Sequence, residues 1–303
     1  MSRFSKYAWS TLAYNFVVVL WGAYVRASGS GAGCGAHWPT CNGEILPRAP
    51  AIETLIEFTH RLTSGLALVL TIGLVVAACR TFTGGHRARK AAWTTLGFMV
   101  AEALLGAGLV LFGLVDDDDS LARAMVMCMH LINTLFLLGF MALTAWWADR
   151  PGKLDLHQPA ARGLGLATAG LLLLGITGAI AALGDTLFPA TSLVEGFQAD
   201  MQTGAHILLR LRGLHPVFAI IVAFGLVHLA NGQRAVPHMK TSATLLMAAV
   251  LTQIVVGFVN LGLLAPIPLQ LLHLFMADGV WVLFLVFAAK SLETSRPGQA
   301  QRD

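Results

Sequence analysis

Eight predominantly apolar stretches, separated by short polar connectors, run the length of this chain. They fall at about 10–27, 54–79, 91–115, 122–147, 162–184, 212–230, 242–264 and 267–290. Each is roughly 18 residues or longer, enough to cross about 30 Å of hydrocarbon as an α-helix. Strands of a membrane β-barrel would be half as long and would alternate in polarity, a pattern these stretches lack. The pattern predicts an all-α polytopic membrane protein with eight transmembrane helices. Composition agrees, since the chain is 56% hydrophobic and only 12% charged, which excludes an ordinary soluble domain.

Charge then orients the segments. Arg3 and Lys6 precede the first. Arg80, Arg87, Arg89 and Lys90 fill the second connector; Arg150, Lys153 and Arg162 fill the fourth. Arg234 and Lys240 lie in the sixth, and Lys290, Arg296 and Arg302 close the tail. Fourteen of the twenty basic residues thus share one side, which the positive-inside rule assigns to the cytoplasm together with both termini. A multi-pass protein of the cell's inner (plasma) membrane is expected. Acids gather on the other side: Glu44, Glu53, Asp116 to Asp119, Asp185, Glu195 and Asp200. The net charge of +4 is therefore a topology signal, and the dispersed basic residues do not form a nucleic-acid surface. The first segment has the basic start of a signal peptide, but Arg26 interrupts any cleavage region, so it reads as a retained helix.

The two halves match in order. Gly22-Ala23 pairs with Gly178-Ala179, His60 with His215, Gly108 and Gly113-Leu114 with Gly257 and Gly262-Leu263, and His130-Leu131 with His273-Leu274. The offsets shrink steadily, as expected when later connectors are shorter. Four spans per unit keep the orientation, so the predicted architecture is two tandem four-helix bundles related by an internal pseudo-two-fold duplication. The N-terminal bundle comprises residues 1–150 with an outer cysteine loop at 27–53, and the C-terminal bundle residues 151–303. Small residues such as Gly106, Gly108, Gly175 and Gly178 would let helices approach closely.

An ionisable side chain inside hydrocarbon is expensive and so points to function. His60, His130, His215 and His273 each fall about two turns below the outer surface, on segments that run in the same direction. A single intramembrane histidine often only hydrogen-bonds between helices. Two at equal depth on two helices of one bundle can instead face each other and grip a haem iron. Zinc would ask for three or four ligands in one place. His206, just before the sixth segment, is the one competitor to His215; His37, His86, His157, His228 and His238 lie in loops or near a helix end.

Arginines accompany these histidines: Arg61 follows His60, Arg123 precedes His130 by seven residues, and Arg212 precedes His215 by three. A guanidinium fork matches a propionate carboxylate, so Arg61 and Arg212 are candidate propionate or support groups. Interfacial snorkelling explains Arg123 and Arg210 equally well. The halves differ beside the histidines. Glu57 lies three residues before His60, where the second half has Arg212, and Arg26 has only Ala182 opposite it. A carboxylate one turn above a ligand can relay protons or stabilise a developing cation. The first half therefore reads as the reacting one and the second as a cofactor or electron-transfer site. Arg26 joins the support candidates.

Cys34 and Cys41 bracket a short outer loop, where a disulfide is permitted and would stiffen a lid over the first bundle. Metal binding by this pair with His37 is the alternative. Cys79 and Cys128 read as small core residues. Glu102 and Asp278 lie deep in their segments without an assigned role; Asp278, five residues beyond His273, is a candidate buried hydrogen-bond partner.

Gly22-Ala-Tyr-Val-Arg26, the following Gly-Ser-Gly run, Cys34, Trp38-Pro39, Cys41-Asn42-Gly43 and Pro47 resemble the first helix and loop of haem A synthases. Glu57-Phe-Thr-His60-Arg61 is similar to that family's ligand motif. The resemblance covers nearly the whole chain. It implies oxidation of the C8 methyl of haem O by successive hydroxylations, giving a hydrated aldehyde that loses water to the formyl group of haem A. It further implies that His60 and His130 hold substrate haem, that Glu57 is catalytic, and that His215 and His273 ligate a haem b cofactor that passes electrons. Cys34 and Cys41 match a cysteine pair found in part of the family. Haem O synthase is the implied upstream partner, beside a membrane electron donor that the sequence does not identify and a candidate homo-oligomer. The chain departs from the family in having Gly-Ala-His between Cys34 and Trp38, where an acid is common, and Leu-His-Pro around His215.

Two other readings compete. A bis-haem cytochrome b that only transfers electrons would need neither Glu57 nor the cysteine loop. A parallel-repeat transporter would place its ionisable groups at the midplane, whereas here they mostly cluster towards the outer side.

Overall fold

A computed structural model describes residues 1–150, 152 and 154–293 of the chain. Lys153, Arg296 and Arg302, part of the expected basic side, lie outside the described residues. The helices are α1 (Arg3–Ala27), α2 (Ile52–Thr81), α3 (Arg87–Leu111), α4 (Leu121–Ala148), α5 (Ala160–Leu187), α6 (Leu193–Met201), α7 (Ile207–Arg212), α8 (Leu214–Gln233), α9 (Lys240–Gly262) and α10 (Ile267–Leu292). Among the described residues there is no strand, only two isolated bridges. Eight spans are long and apolar enough to cross a membrane; α7 and α8 together make the sixth, and a 3₁₀ turn at Pro237–Met239 leads into the seventh. The protein is an all-helical, multi-pass membrane protein.

The helices overrun the apolar windows where polar groups cap them. Ser2 accepts a hydrogen bond from the Ser5 amide at 3.1 Å, so α1 begins at Arg3, well before the apolar run. His86 caps α3 in the same way, its Nδ1 accepting from the Ala88 amide at 3.2 Å. At the other end α3 stops at Leu111, four residues short of the apolar window, because Gly113 takes a left-handed conformation (φ 67°) and the Leu114 amide turns back to the Leu109 carbonyl.

The sixth span departs most from the expected pattern. It starts at Ile207, five residues early, and breaks at Gly213. Pro216 has no N–H to give the Arg212 carbonyl, so the hydrogen-bond ladder cannot run through. Ahead of it the connector contains α6, a helix the hydrophobic pattern alone does not single out. Its apolar residues Leu193, Val194, Phe197 and Met201 are exposed.

α4 is the central helix, packed against α1, α3, α5 and α10. Its partners across the middle of the molecule come from the second half of the chain. Gly139 admits α10 there, since a Cβ at that position would lie 2.5 Å from Leu285 Cδ1 and 3.2 Å from Trp281 Nε1. Trp281 Nε1 donates to the Leu135 carbonyl at 2.6 Å, and Phe16 meets Phe275 edge-on at 5.7 Å between centroids. At the end carrying the termini, the Ser2 amide donates to Asp149 at 3.2 Å and the Asp155 amide to the Leu292 carbonyl at 2.7 Å. The start of α1 and the end of α10 therefore lie on the same side, opposite the cysteine loop.

Candidate functional site

All four expected histidines sit near the start of a span at the cysteine-loop end. His60 is eight residues past Ile52, His130 nine past Leu121, His215 eight past Ile207 and His273 six past Ile267. Each imidazole lies against a glycine of the preceding span. A Cβ on Gly22 would stand 2.9 Å from His60 Cε1, on Gly178 3.1 Å from His215 Cε1, and on Gly257 2.9 Å from His273 Cε1. Any side chain at these positions would displace the ring, so the glycines are notches cut for histidine.

His130 faces Gly106, whose added Cβ would be 4.0 Å from Nε2. The sequence match paired Gly108 with Gly257, yet a Cβ on Gly108 would meet only Phe112. The glycine facing His130 is thus Gly106, and the one facing His273 is Gly257. Seven residues beyond each, Gly113 and Leu264 end their helices with positive φ, 67° and 61°. Four residues before each, Glu102 and Gln253 face the histidines.

His215 and His273 stand opposite one another, 6.3 Å between ring centroids with planes at 88°. Thr177 Oγ1 lies 3.2 Å from His215 Nδ1, and Gln253 Nε2 lies 3.2 Å from His273 Nδ1. His206 does not compete for this place. Its Nδ1 caps α7 by accepting from the Leu208 amide at 3.4 Å, and its ring packs on Phe188. In the first half, Nδ1 of His60 and Nδ1 of His130 are both buried without a well-aligned hydrogen bond. In the first half two imidazoles have buried Nδ1 atoms without a partner, and in the second two facing imidazoles are oriented through Nδ1 by Thr177 and Gln253; both donor sets fit a haem iron. Among the described residues no three of His, Cys, Asp and Glu gather as a metal-binding group.

Cys34 and Cys41 are joined in a disulfide, so those sulfurs are not available as metal ligands with His37. The loop they close is fastened to α2. Glu57, only 3% exposed, accepts from the Cys34 amide at 2.7 Å through Oε2 and pairs with Arg61 through Oε1. Arg61 in turn donates to the His37 and Thr40 carbonyls, both at 2.6 Å. Gly33 lies so close to α2 that a Cβ there would be 2.5 Å from the Glu53 carbonyl, and the Gly33 carbonyl accepts from Thr54 Oγ1 at 2.7 Å. The i, i+4 spacing of Glu57 and Arg61 was a readable signal for their pairing; the amide of Cys34 was not.

The other arginines are tethers within the protein. Arg26 donates to the Ala182 carbonyl at 2.7 Å and to Gln270 Oε1 at 3.0 Å, and also bonds Thr186, so it bridges α1 to α5 and α10. Arg212 pairs with Asp185 at 3.3 Å and Asp200 at 2.8 Å and donates to the Gly196 carbonyl of α6. Arg123 is buried and donates to the Asp116 and Asp118 carbonyls, which folds the acidic connector onto α4. Asp278 is 1% exposed and neither carboxylate oxygen has a hydrogen-bond partner, so it does not support His273 as a bonded neighbour.

The fold and these side chains define a multi-pass helical membrane protein with two pairs of intramembrane histidines and a disulfide-closed loop docked on a buried glutamate. A family model described as Cytochrome oxidase assembly protein (COX15-CtaA) matches residues 5–285. The chain belongs to that family. It is 50% identical over 297 residues to a Protoheme IX farnesyltransferase of Thermus thermophilus, covering 96% of this chain and 49% of the relative. It thus spans about half the length of that relative. It is 43% identical over 97 residues to a Heme A synthase of Alkalihalophilus pseudofirmus, covering 32% of this chain and 33% of that protein. A Heme A synthase of Bacillus mycoides is 42% identical over 114 residues, 37% of each chain.

Proposed function

We propose that this chain is a haem A synthase, oxidising the C8 methyl of haem O to a formyl group by successive hydroxylations. The observation that carries the reading is the buried Glu57 carboxylate, one turn from His60 and locked beneath the disulfide loop. In this reading residues 1–150 form the substrate bundle, with His60 and His130 holding the substrate haem, and residues 151–303 form the cofactor bundle. His215 and His273 would hold haem b, which when bound supplies one-electron reduction. Thr177 and Gln253 orient their rings. Glu57 serves as the catalytic group that holds or moves a proton at the reacting edge, and Arg61 keeps its carboxylate aimed. Arg26, Arg61 and Arg212 support the two sites at the cysteine-loop end. The glycine facing each of the four histidines and the matching places of Glu102 and Gln253 support an internal duplication.

The Thermus relatives carry the name Protoheme IX farnesyltransferase over a chain twice as long. We assign that activity to the half this chain does not match, which makes a farnesylating haem O synthase the natural upstream partner. The basic connectors support cytoplasmic termini, and we read the protein as one of the plasma membrane.

Mass spectrometry of haems bound to the protein purified from cells supplied with haem O tests the reading. Haem O, haem A or a hydroxylated intermediate is expected beside haem b. Haem b alone would leave a bis-haem electron carrier as the better description.

A further inference from the structure

Glu102 is an intramembrane acid with no place in the reaction as proposed, yet side chains of a neighbouring helix hold both its oxygens. It projects from α3 towards α4, where Asn133 Nδ2 donates to its Oε2 at 2.5 Å and Thr134 Oγ1 donates to its Oε1. Asn133 and Thr134 lie three and four residues beyond His130, on the same helical face. Asn133 is fixed in turn by the Phe98 carbonyl at 2.9 Å, and the single Thr134 hydroxyl proton is shared with the His130 carbonyl, 2.9 Å away. The carboxylate so positioned stands 3.3 Å from His130 Nδ1, at ion-pair distance but off the hydrogen-bond line. A small rotation of the imidazole aligns the two, as catalytic hydrogen bonds commonly tighten on loading.

At the corresponding place in the other half stands Gln253, a neutral amide. Its Nε2 lies 3.2 Å from His273 Nδ1 and donates to the His273 carbonyl at 3.0 Å. Three and four residues beyond His273 are Met276 and Ala277, which offer no donors for a carboxylate.

We propose that Glu102 is the positioning residue of the His130 site, accepting the Nδ1 proton of His130 and making that imidazole a stronger iron donor than His273. This rests on the haem-site reading above. A proton fixed on Nδ1 leaves Nε2 with its lone pair free for iron. An anionic acceptor behind a ligating histidine raises its basicity, and a stronger donor stabilises the oxidised iron. The two histidine pairs are therefore tuned apart by one carboxylate-for-amide difference, with the more electron-rich iron in the half that holds Glu57.

Potentiometric titration of the full chain, purified with haem bound, tests this with wild type beside Glu102→Gln, Glu102→Asp and Gln253→Glu. Glu102→Gln should raise the midpoint potential of one haem and leave the other in place. Glu102→Asp, which keeps the charge, should return most of the way to wild type. Gln253→Glu should lower the potential of the other haem, and it carries the test from the opposite half if Glu102→Gln does not fold. Two bound haems whose potentials stay fixed in all three variants overturn the positioning role and leave the haem sites standing. A wild-type protein with no haem outside the His215–His273 pair overturns the haem-site reading and this proposal with it.

Discussion

Glu57 has both oxygens occupied, one by the Cys34 amide and one by Arg61. Removing its charge has two consequences that can be measured apart. Glu57→Gln keeps the shape and leaves Cys34 an acceptor, so haem A formation should be abolished while the haem b spectrum stays intact; loss of haem b instead would reverse the assignment of the two halves. The glycine notches allow a steric test that needs no charge change. Gly257→Ala would put a methyl 2.9 Å from His273 Cε1, forcing the ring aside at a cost of about 1–3 kcal/mol. Its expected signature is loss or altered ligation of the second haem, seen as a changed absorption spectrum, with the first unaffected. The histidines and Glu57 were legible in the sequence because ionisable groups are conspicuous among apolar ones. Glu102 was visible for the same reason but had no role, since its partners Asn133 and Thr134 come from another helix.

The disulfide loop behaves as one piece of structure. It is fastened onto α2 through Gly33, Cys34, His37 and Thr40. Replacing Cys41 with Ser should cost up to about 2 kcal/mol from the freed loop and expose Glu57, which a solvent-accessible carboxyl reagent would then label faster than in wild type. The broken sixth span is a second such piece. Its break follows from Pro216 and Gly213, both plain in the sequence, although the apolar run conceals it. α6 stayed hidden because its nine residues are too few to stand out as a span. Its apolar positions gain a helical arrangement from Arg212, which binds the Gly196 carbonyl and Asp200.

Across the molecule, the halves are joined by groups far apart in the chain. Arg26 links α1 to α5 and α10, and Arg26→Ala should remove roughly 2 kcal/mol of charged hydrogen bonding, read as a lower thermal unfolding temperature in detergent. At the opposite end, hydrogen bonds from Ser2 hold the Asp149 carboxyl below its usual range. A depressed carboxyl contributes stability that is complete above the unfolded value, about pH 4, and is lost as pH falls through the lower folded value. The protection of amides in the first turn of α1, taken relative to their intrinsic exchange rate at each pH, should therefore be full above about pH 4 and fall on acidification. In Asp149→Asn that protection should be low at every pH.

Hydrocarbon allows a chain so few solutions that the helical architecture, the number of spans and the depth of the four histidines could be read from residue order. Apolar length and rare ionisable groups are one-dimensional signals. Partner choice is not. Whether Arg212 would meet a ligand or Asp185 and Asp200, which glycine lies behind His130, and where the acid without a role would point depended on how helices distant in sequence pack together. Close helix approach brings Glu102 beside His130 and leaves Asp278 without a bonded neighbour, and those contacts exist only in the folded bundle.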